Sequence, residues 1–193
     1  ENDTLPEMRQ SFVGINSYEL GRIIGGLVST TAGLEGHALV LLDSRADHLS
    51  ETIMLSAIRE VLQPYPGLSV SPLGKDEFPA AGYEEHIRQR ILEDRALETI
   101  VCLSVEDAIR TAQTLIELNR SDRVSVISFH ETKEVLEYLR KGIISAVIEV
   151  DAREMGRMAT ESLVEYLETG HSNNYVITGM HVVTRESLED AAK

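Results

Sequence analysis

Thr99-Ile100-Val101-Cys102-Leu103-Ser104-Val105-Glu106-Asp107-Ala108-Ile109 passes from strand chemistry to helix chemistry within a few residues. Ile100 to Leu103 is apolar at consecutive positions, which suits a strand covered on both faces. Ser104 follows with Asp107 three residues on, the spacing by which side chains satisfy the orphan N–H groups of a helix start. Ala108, Ile109, Ala112, Leu115 and Ile116 then recur at helical spacing and form one stripe. The stretch reads as one strand, one cap and one helix.

The same unit repeats in both directions. Strand-length apolar runs occur at Ser11–Ile15, His37–Leu42, Leu68–Ser71, Arg123–Phe129, Ser145–Ile148 and Tyr175–Ile177. Between them lie helical stripes: Leu20, Ile23, Ile24, Leu27 and Val28; Ile53, Ala57, Ile58, Val61 and Leu62; Tyr83, Ile87 and Ile91; Val135, Leu136 and Leu139; Met155, Met158, Ala159, Leu163, Tyr166 and Leu167. Asn16 before Glu19 and Asp151 before Glu154 repeat the cap spacing, while Gly33, Gly36, Pro64, Pro66-Gly67, Gly142 and Gly170 mark stops. Alternation of this kind predicts an α/β fold, a doubly wound parallel sheet with helices on both faces. One internal echo stands out: Glu19-Leu20-Gly21-Arg22 and Glu154-Met155-Gly156-Arg157 each follow a strand, and the glycines are expected to let a helix approach its sheet closely.

Composition narrows the function classes. The chain has 193 residues, 42% hydrophobic and 26% charged, enough for a core without metal or disulfide. Its net charge of −14 is spread along helices with no Lys/Arg cluster, which disfavours nucleic acid and anionic membranes as partners. Cys102 lies in an apolar run and reads as a small hydrophobe. The phosphate loop, the nucleophile elbow and the His-Glu-x-x-His zinc motif do not occur, and the six histidines are scattered without ligand spacing. No catalytic residue, no cofactor and no metal site is expected, so enzymatic activity is the least favoured reading.

In an open parallel α/β sheet, ligands bind beyond the carboxyl ends of the strands. The polar residues there are Asn16 and Ser17, then Asp43, Ser44 and Arg45, then Ser104 and Glu106, then His130, and last Glu149 to Asp151. Asn, Ser and Asp in these places serve equally as helix caps. Arg45 and His130 are not preferred caps, and an arginine at a strand end can grip an anionic or hydroxyl-rich ligand. The candidate ligand-binding residues are Asn16, Ser17, Ser44, Arg45, Ser104, His130 and Glu149.

The order of elements, above all Ser11 to Arg22, Gly36 to Leu42, Val124 to Phe129 and Asp151 to Arg157, resembles the type I periplasmic binding proteins. These ribose-binding-like solute receptors are related to the ligand domain of lac-repressor-type regulators. The resemblance implies two α/β lobes joined by three crossovers, with a small molecule held between them. Against that plan the chain looks truncated: residues 1–35 are expected to be a strand and helix remaining from the first lobe, 36–149 the second lobe, 150–171 a first-lobe helix, and 172–193 a return to the second lobe. Hinges are expected near Gly33–Gly36, Glu149–Asp151 and Ser172–Tyr175. The stripes of the first and last long helices would then lie bare, predicting a homodimer of the isolated chain.

The ligand positions that the resemblance implies depart from the sugar-binding pattern. An Asp-Asn pair is replaced by Asn16-Ser17, an arginine by Met54, an Asn-Asp pair by Ser104-Val105, an aspartate by His130, and a glutamine by Val150 beside Glu149. The expected ligand is sugar-like without being a simple pentose or hexose. The expected function is an extracytoplasmic, non-catalytic solute-binding module serving an ABC-type uptake transporter or a membrane sensor. The alternative is the effector domain of a lac-repressor-type transcription regulator. Pro66-Gly67 after a long helix, common in solute receptors, favours the first.

Overall fold

The computed structural model describes residues 8–33, 35–42, 48–75 and 82–191. Strands β1 (Phe12–Gly14), β2 (Glu35–Leu42), β3 (Gly67–Gly74), β4 (Leu97–Cys102), β5 (Ser125–Phe129), β6 (Ile144–Val150), β7 (Tyr175–Ile177) and β8 (Met180–Val183) alternate with helices. The helices are α1 (Ser17–Thr31), α2 (His48–Leu62), α3 (Tyr83–Glu93), α4 (Val105–Glu117), α5 (Lys133–Arg140), α6 (Ala152–Thr169) and α7 (Arg185–Ala191). Six strands form one sheet in the order β3-β2-β4-β5-β6-β8, and β1 pairs with β7 in a separate two-stranded sheet. All pairings are parallel except β6 with β8. The fold is the α/β, doubly wound arrangement that the alternation of runs and stripes requires.

Consecutive side chains of a strand point to opposite faces, and β2 divides its residues accordingly. Ala38, Val40 and Leu42 enter a buried cluster with Leu20, Ile24 and Val28 of α1 and Met54 and Ile58 of α2. Leu39 and Leu41 enter a second cluster with Ile87 and Ile91 of α3, Ala108 and Leu115 of α4, and Val135 and Leu139 of α5. Each fully buried Leu or Ile contributes about 1.5–3 kcal/mol of transfer free energy. Two such layers explain the consecutive apolar positions of the central strands, such as Ala38 to Leu42 and Ile100 to Cys102.

Two sequence expectations are corrected by this packing. The α1 stripe is not bare: α1 lies beside α2 on the six-stranded sheet, and Leu20, Ile24 and Val28 are buried. The helical part of the expected first-lobe remnant, residues 1–35, therefore shares a core with the larger sheet. Gly21 and Gly25 serve this helix pair and not the sheet, because a Cβ on Gly21 would stand 2.3 Å from the Met54 carbonyl oxygen and one on Gly25 would stand 2.8 Å from Val61 Cβ. The echo at Gly156 has no such role, since nothing lies within 4 Å of a Cβ built there. Helix α6 packs against β1 but buries no residue, leaving Leu163 57% and Leu167 73% exposed.

The chain passes between the two sheets three times, from β1 into α1, from β6 into α6, and from β7 into β8. Gly33–Gly36 is not one of these passages, because it joins α1 to β2 within the larger layer. The last passage runs through Thr178 and Gly179, C-terminal to the expected Ser172–Tyr175. Thr178 is fully buried there, and its N–H and its hydroxyl both donate to the Gly14 carbonyl, at 2.8 and 3.1 Å. Strand β8 and helix α7 are not among the elements expected from the sequence.

Candidate functional site

The helices that follow the parallel strands start at the strands' carboxyl ends, so caps and ligand-facing groups compete for the same positions. Asn16 caps α1, its Oδ1 accepting from the Tyr18 and Glu19 N–H groups at 2.9 and 3.1 Å. That use leaves the two amide N–H bonds of the side chain. Ser17 is the first, half-buried residue of α1. Ile15 belongs to the same buried cluster as Phe129, Ile148 and Val150.

Ser104 caps α4. Its hydroxyl accepts from the Asp107 N–H at 3.1 Å and donates to Asp107 Oδ2 at 2.8 Å. Asp107 is buried and also meets Lys75 Nζ at 3.0 Å. Lys75 lies beyond the strand expected over Leu68–Ser71, whereas β3 continues to Gly74. Ser44 and Arg45 lie outside the described residues, as does Asp43.

His130 and Glu149 come together. They lie one step beyond the paired residues Phe129 and Ile148 of β5 and β6, and His130 Nδ1 stands 3.9 Å from Glu149 Oε1. Glu149 Oε2 accepts from the Glu131 N–H at 2.5 Å, and the His130 ring lies against Phe129 with centroids 4.2 Å apart. His130 has φ of 68°, a left-handed conformation that costs a residue with a Cβ about 1–2 kcal/mol. Strain of this kind gathers at functional sites. Asp151 is used locally, its Oδ1 accepting from the Glu154 N–H at 2.8 Å to cap α6.

His130 and Glu149 together offer an imidazole and a carboxylate, and Asn16 and Ser17, at the end of another strand, an amide and a hydroxyl. Among the described residues no group of three or more His, Cys, Asp or Glu is placed to hold a metal. Cys102 is fully buried; burial pushes its thiol far up, and it sits 3.7 Å from Thr111 Oγ1. A groove of about 890 Å³ lies elsewhere, between α3 and α4, where Arg110 meets Glu84 and Glu106, and Arg88 meets Glu117. Ion pairs line its walls, and it reaches the start of α4 at Val105 and Glu106.

Comparison with known proteins bears on this geometry. A family profile described as periplasmic binding protein domain matches residues 1–172. No curated protein matches the sequence. Among solved structures, the chain is similar to GanP, a glucose-galactose binding protein from Geobacillus stearothermophilus, with a TM-score of 0.82 and 17% identity over 97% of this chain and 67% of that one. It is similar to an ABC transporter solute binding protein from Burkholderia graminis in complex with D-arabinose, with a TM-score of 0.83 and 19% identity over 97% of this chain and 66% of that one. The XylFII-LytSN complex is a further match, with a TM-score of 0.78 and 20% identity over 93% of this chain and 64% of that one. The chain thus spans about two thirds of the length of these structures. No helix among the described residues is long and apolar enough to cross a membrane.

Proposed function

The chain belongs to the periplasmic binding protein domain family, a family of binding proteins and not enzymes, and on that premise we propose that it is an extracytoplasmic solute-binding module. The observation that carries this reading is the meeting of His130 and Glu149 at the carboxyl ends of adjacent parallel strands, beside the three passages between the sheets. Asn16 and Ser17 complete the described part of the site, with Ser44 and Arg45 the remaining candidates. Ser104 contributes through its helix cap. The ligand is sugar-like but not a simple pentose or hexose, because the directed acids and amides expected for those are replaced by shorter or apolar groups.

The passages near Gly14–Asn16, Val150–Asp151 and Thr178–Gly179 act as hinges, and ligand binding biases their closure. The six-stranded sheet with α1 to α5 is one lobe; β1, β7 and α6 belong to the other. The partner is a membrane transporter or a membrane sensor, readings supported by the ABC transporter protein from Burkholderia graminis and by the XylFII-LytSN complex respectively. The chain studied alone pairs with a second copy through α6.

Thermal-shift screening against D-arabinose, D-glucose, D-galactose, substituted sugars, polyols and nucleosides tests the reading, since a ligand bound to the folded state raises its stability by mass action. A substituted sugar or polyol should shift the wild-type melt, and Glu149→Gln should remove the shift. A folded protein that responds to none of these compounds would overturn the proposal.

A further inference from the structure

Away from the strand ends, on the face of the sheet that carries α3, three side chains from different elements stand in line. His37 of β2 places Nδ1 2.5 Å from Asp94 Oδ2, at the C-cap of α3, and Nε2 2.7 Å from Ser71 Oγ on the edge strand β3. The order is that of an orienting carboxylate, a base and a nucleophile. An ionised carboxylate can only accept, so Nδ1 carries a proton toward Asp94, and in the neutral form of the ring Nε2 is left to accept from the Ser71 hydroxyl. Asp94 is fixed in turn, its Oδ1 accepting from the Ala96 N–H at 2.9 Å. Burial pushes its carboxyl up, but hydrogen bonds from His37 and the Ala96 N–H outweigh that and hold it below the ordinary range. The cluster is half-buried, with 13% of the His37 side chain and 20% of the Asp94 side chain exposed.

We propose that Ser71 is an activated nucleophile, a modification site that takes one acyl group from an activated ester. In the step, Ser71 Oγ forms a bond to the acyl carbon while the bond from that carbon to the leaving oxygen breaks. The hydroxyl proton passes to His37 Nε2 and from there to the departing alkoxide or to solvent. The product is an ester on Ser71. Turnover is not part of the proposal: the residue after the nucleophile commonly supplies an N–H to the developing oxyanion, and here it is Pro72, which has none. A binding protein can therefore hold a primed serine without being an esterase.

The test treats the whole chain with p-nitrophenyl acetate and maps acetyl groups by peptide mass spectrometry. Ser69 is the internal control. It is two residues away on the same strand and more exposed; it pairs with His37 in the β2–β3 register, but its hydroxyl donates to the Gly36 carbonyl at 3.4 Å while His37 Nε2 meets Ser71. Ser71 should be acetylated at least about tenfold faster than Ser69, the low end of what a positioned base contributes being somewhat larger still. His37→Gln should bring Ser71 down to the Ser69 rate. Acetylation of Ser71 no faster than Ser69 in the wild-type protein overturns the proposal, independently of how any variant folds. So does a Ser71 rate that His37→Gln leaves unchanged.

Discussion

Gly21→Ala should destabilise the protein although alanine is the better helix former. An ideal Cβ at position 21 would stand 2.3 Å from the Met54 carbonyl oxygen and 2.7 Å from Ala57 Cβ, where non-bonded carbon contacts rest at about 3.5 Å. The helices must part by roughly 1 Å, and a backbone carbonyl cannot swing aside as a side-chain tip can. Overpacking of this kind costs about 1–3 kcal/mol. Replacing glycine in a helix interior returns about 0.5–1 kcal/mol, which leaves a net loss of about 1–2 kcal/mol because the obstacle is backbone. Gly26→Ala is the matched control on the same helix: nothing lies within 4 Å of its Cβ, so only the propensity gain of about 0.5–1 kcal/mol remains. Urea unfolding followed by circular dichroism reads both as shifts of the midpoint at constant slope. The two substitutions should move the midpoint in opposite directions. If Gly21→Ala stabilises as Gly26→Ala does, α1 is not seated on α2 and the assignment of α1 to the larger layer is wrong.

Acid should act on Asp94. Its folded pKa lies below the ordinary 3.8, so its contribution is complete above about pH 4 and is lost as pH falls through the lower folded value. Asp94→Asn should flatten the fall of the urea midpoint below about pH 4, and an unchanged acid limb would count against the His37–Asp94 pair. Leu163→Glu combined with Leu167→Glu should convert a dimer to a monomer in sedimentation, and a clean wild-type monomer at high concentration would sink the α6 interface. Cys102 should resist a thiol reagent in the folded protein and react only in denaturant, because it is buried and burial raises its thiol pKa; rapid labelling of native protein would contradict the packing of β4.

The α/β alternation was legible because each central strand is covered twice. A run such as Val40-Leu41-Leu42 has no wet side to confuse its reading, and the caps at Asn16, Ser104 and Asp151 all accept from the backbone of the following turn. What the sequence hid was partnership. Gly21 and Gly156 sit in the same local words, yet one touches a helix and the other open space, because α2 follows α1 on the larger sheet while α6 lies on two strands. Similarly, Lys75 meets Asp107 and His37 meets Asp94 across many residues of chain, and nothing local to either partner announces the other. Strand β3 runs past the expected Ser71 through Pro72, because an edge strand can accommodate a proline on its unpaired side.

The candidate site divides by the same logic. At a strand end, a polar side chain is available to a ligand only if the helix that starts there does not need it. Ser104 gives both its donor and its acceptor to Asp107, so the helix start already uses it, and Ala at this position should cost helix stability of about 1 kcal/mol before it costs binding. Asn16 gives its oxygen but keeps its N–H groups. His130 does not cap the helix that follows, since Thr132 does that for α5 by accepting from the Val135 N–H at 3.2 Å. Freed from capping, His130 is held at positive φ against Phe129, beside a Glu149 that the Glu131 N–H fixes in place. A chain with no use for His130 could relieve that conformation with glycine. His130→Gly should therefore leave the urea midpoint nearly unchanged, the backbone relief of about 1–2 kcal/mol offsetting lost ring contacts and added unfolded-state freedom, while removing the ligand-induced thermal shift. A variant that keeps the shift would move the site away from β5 and β6.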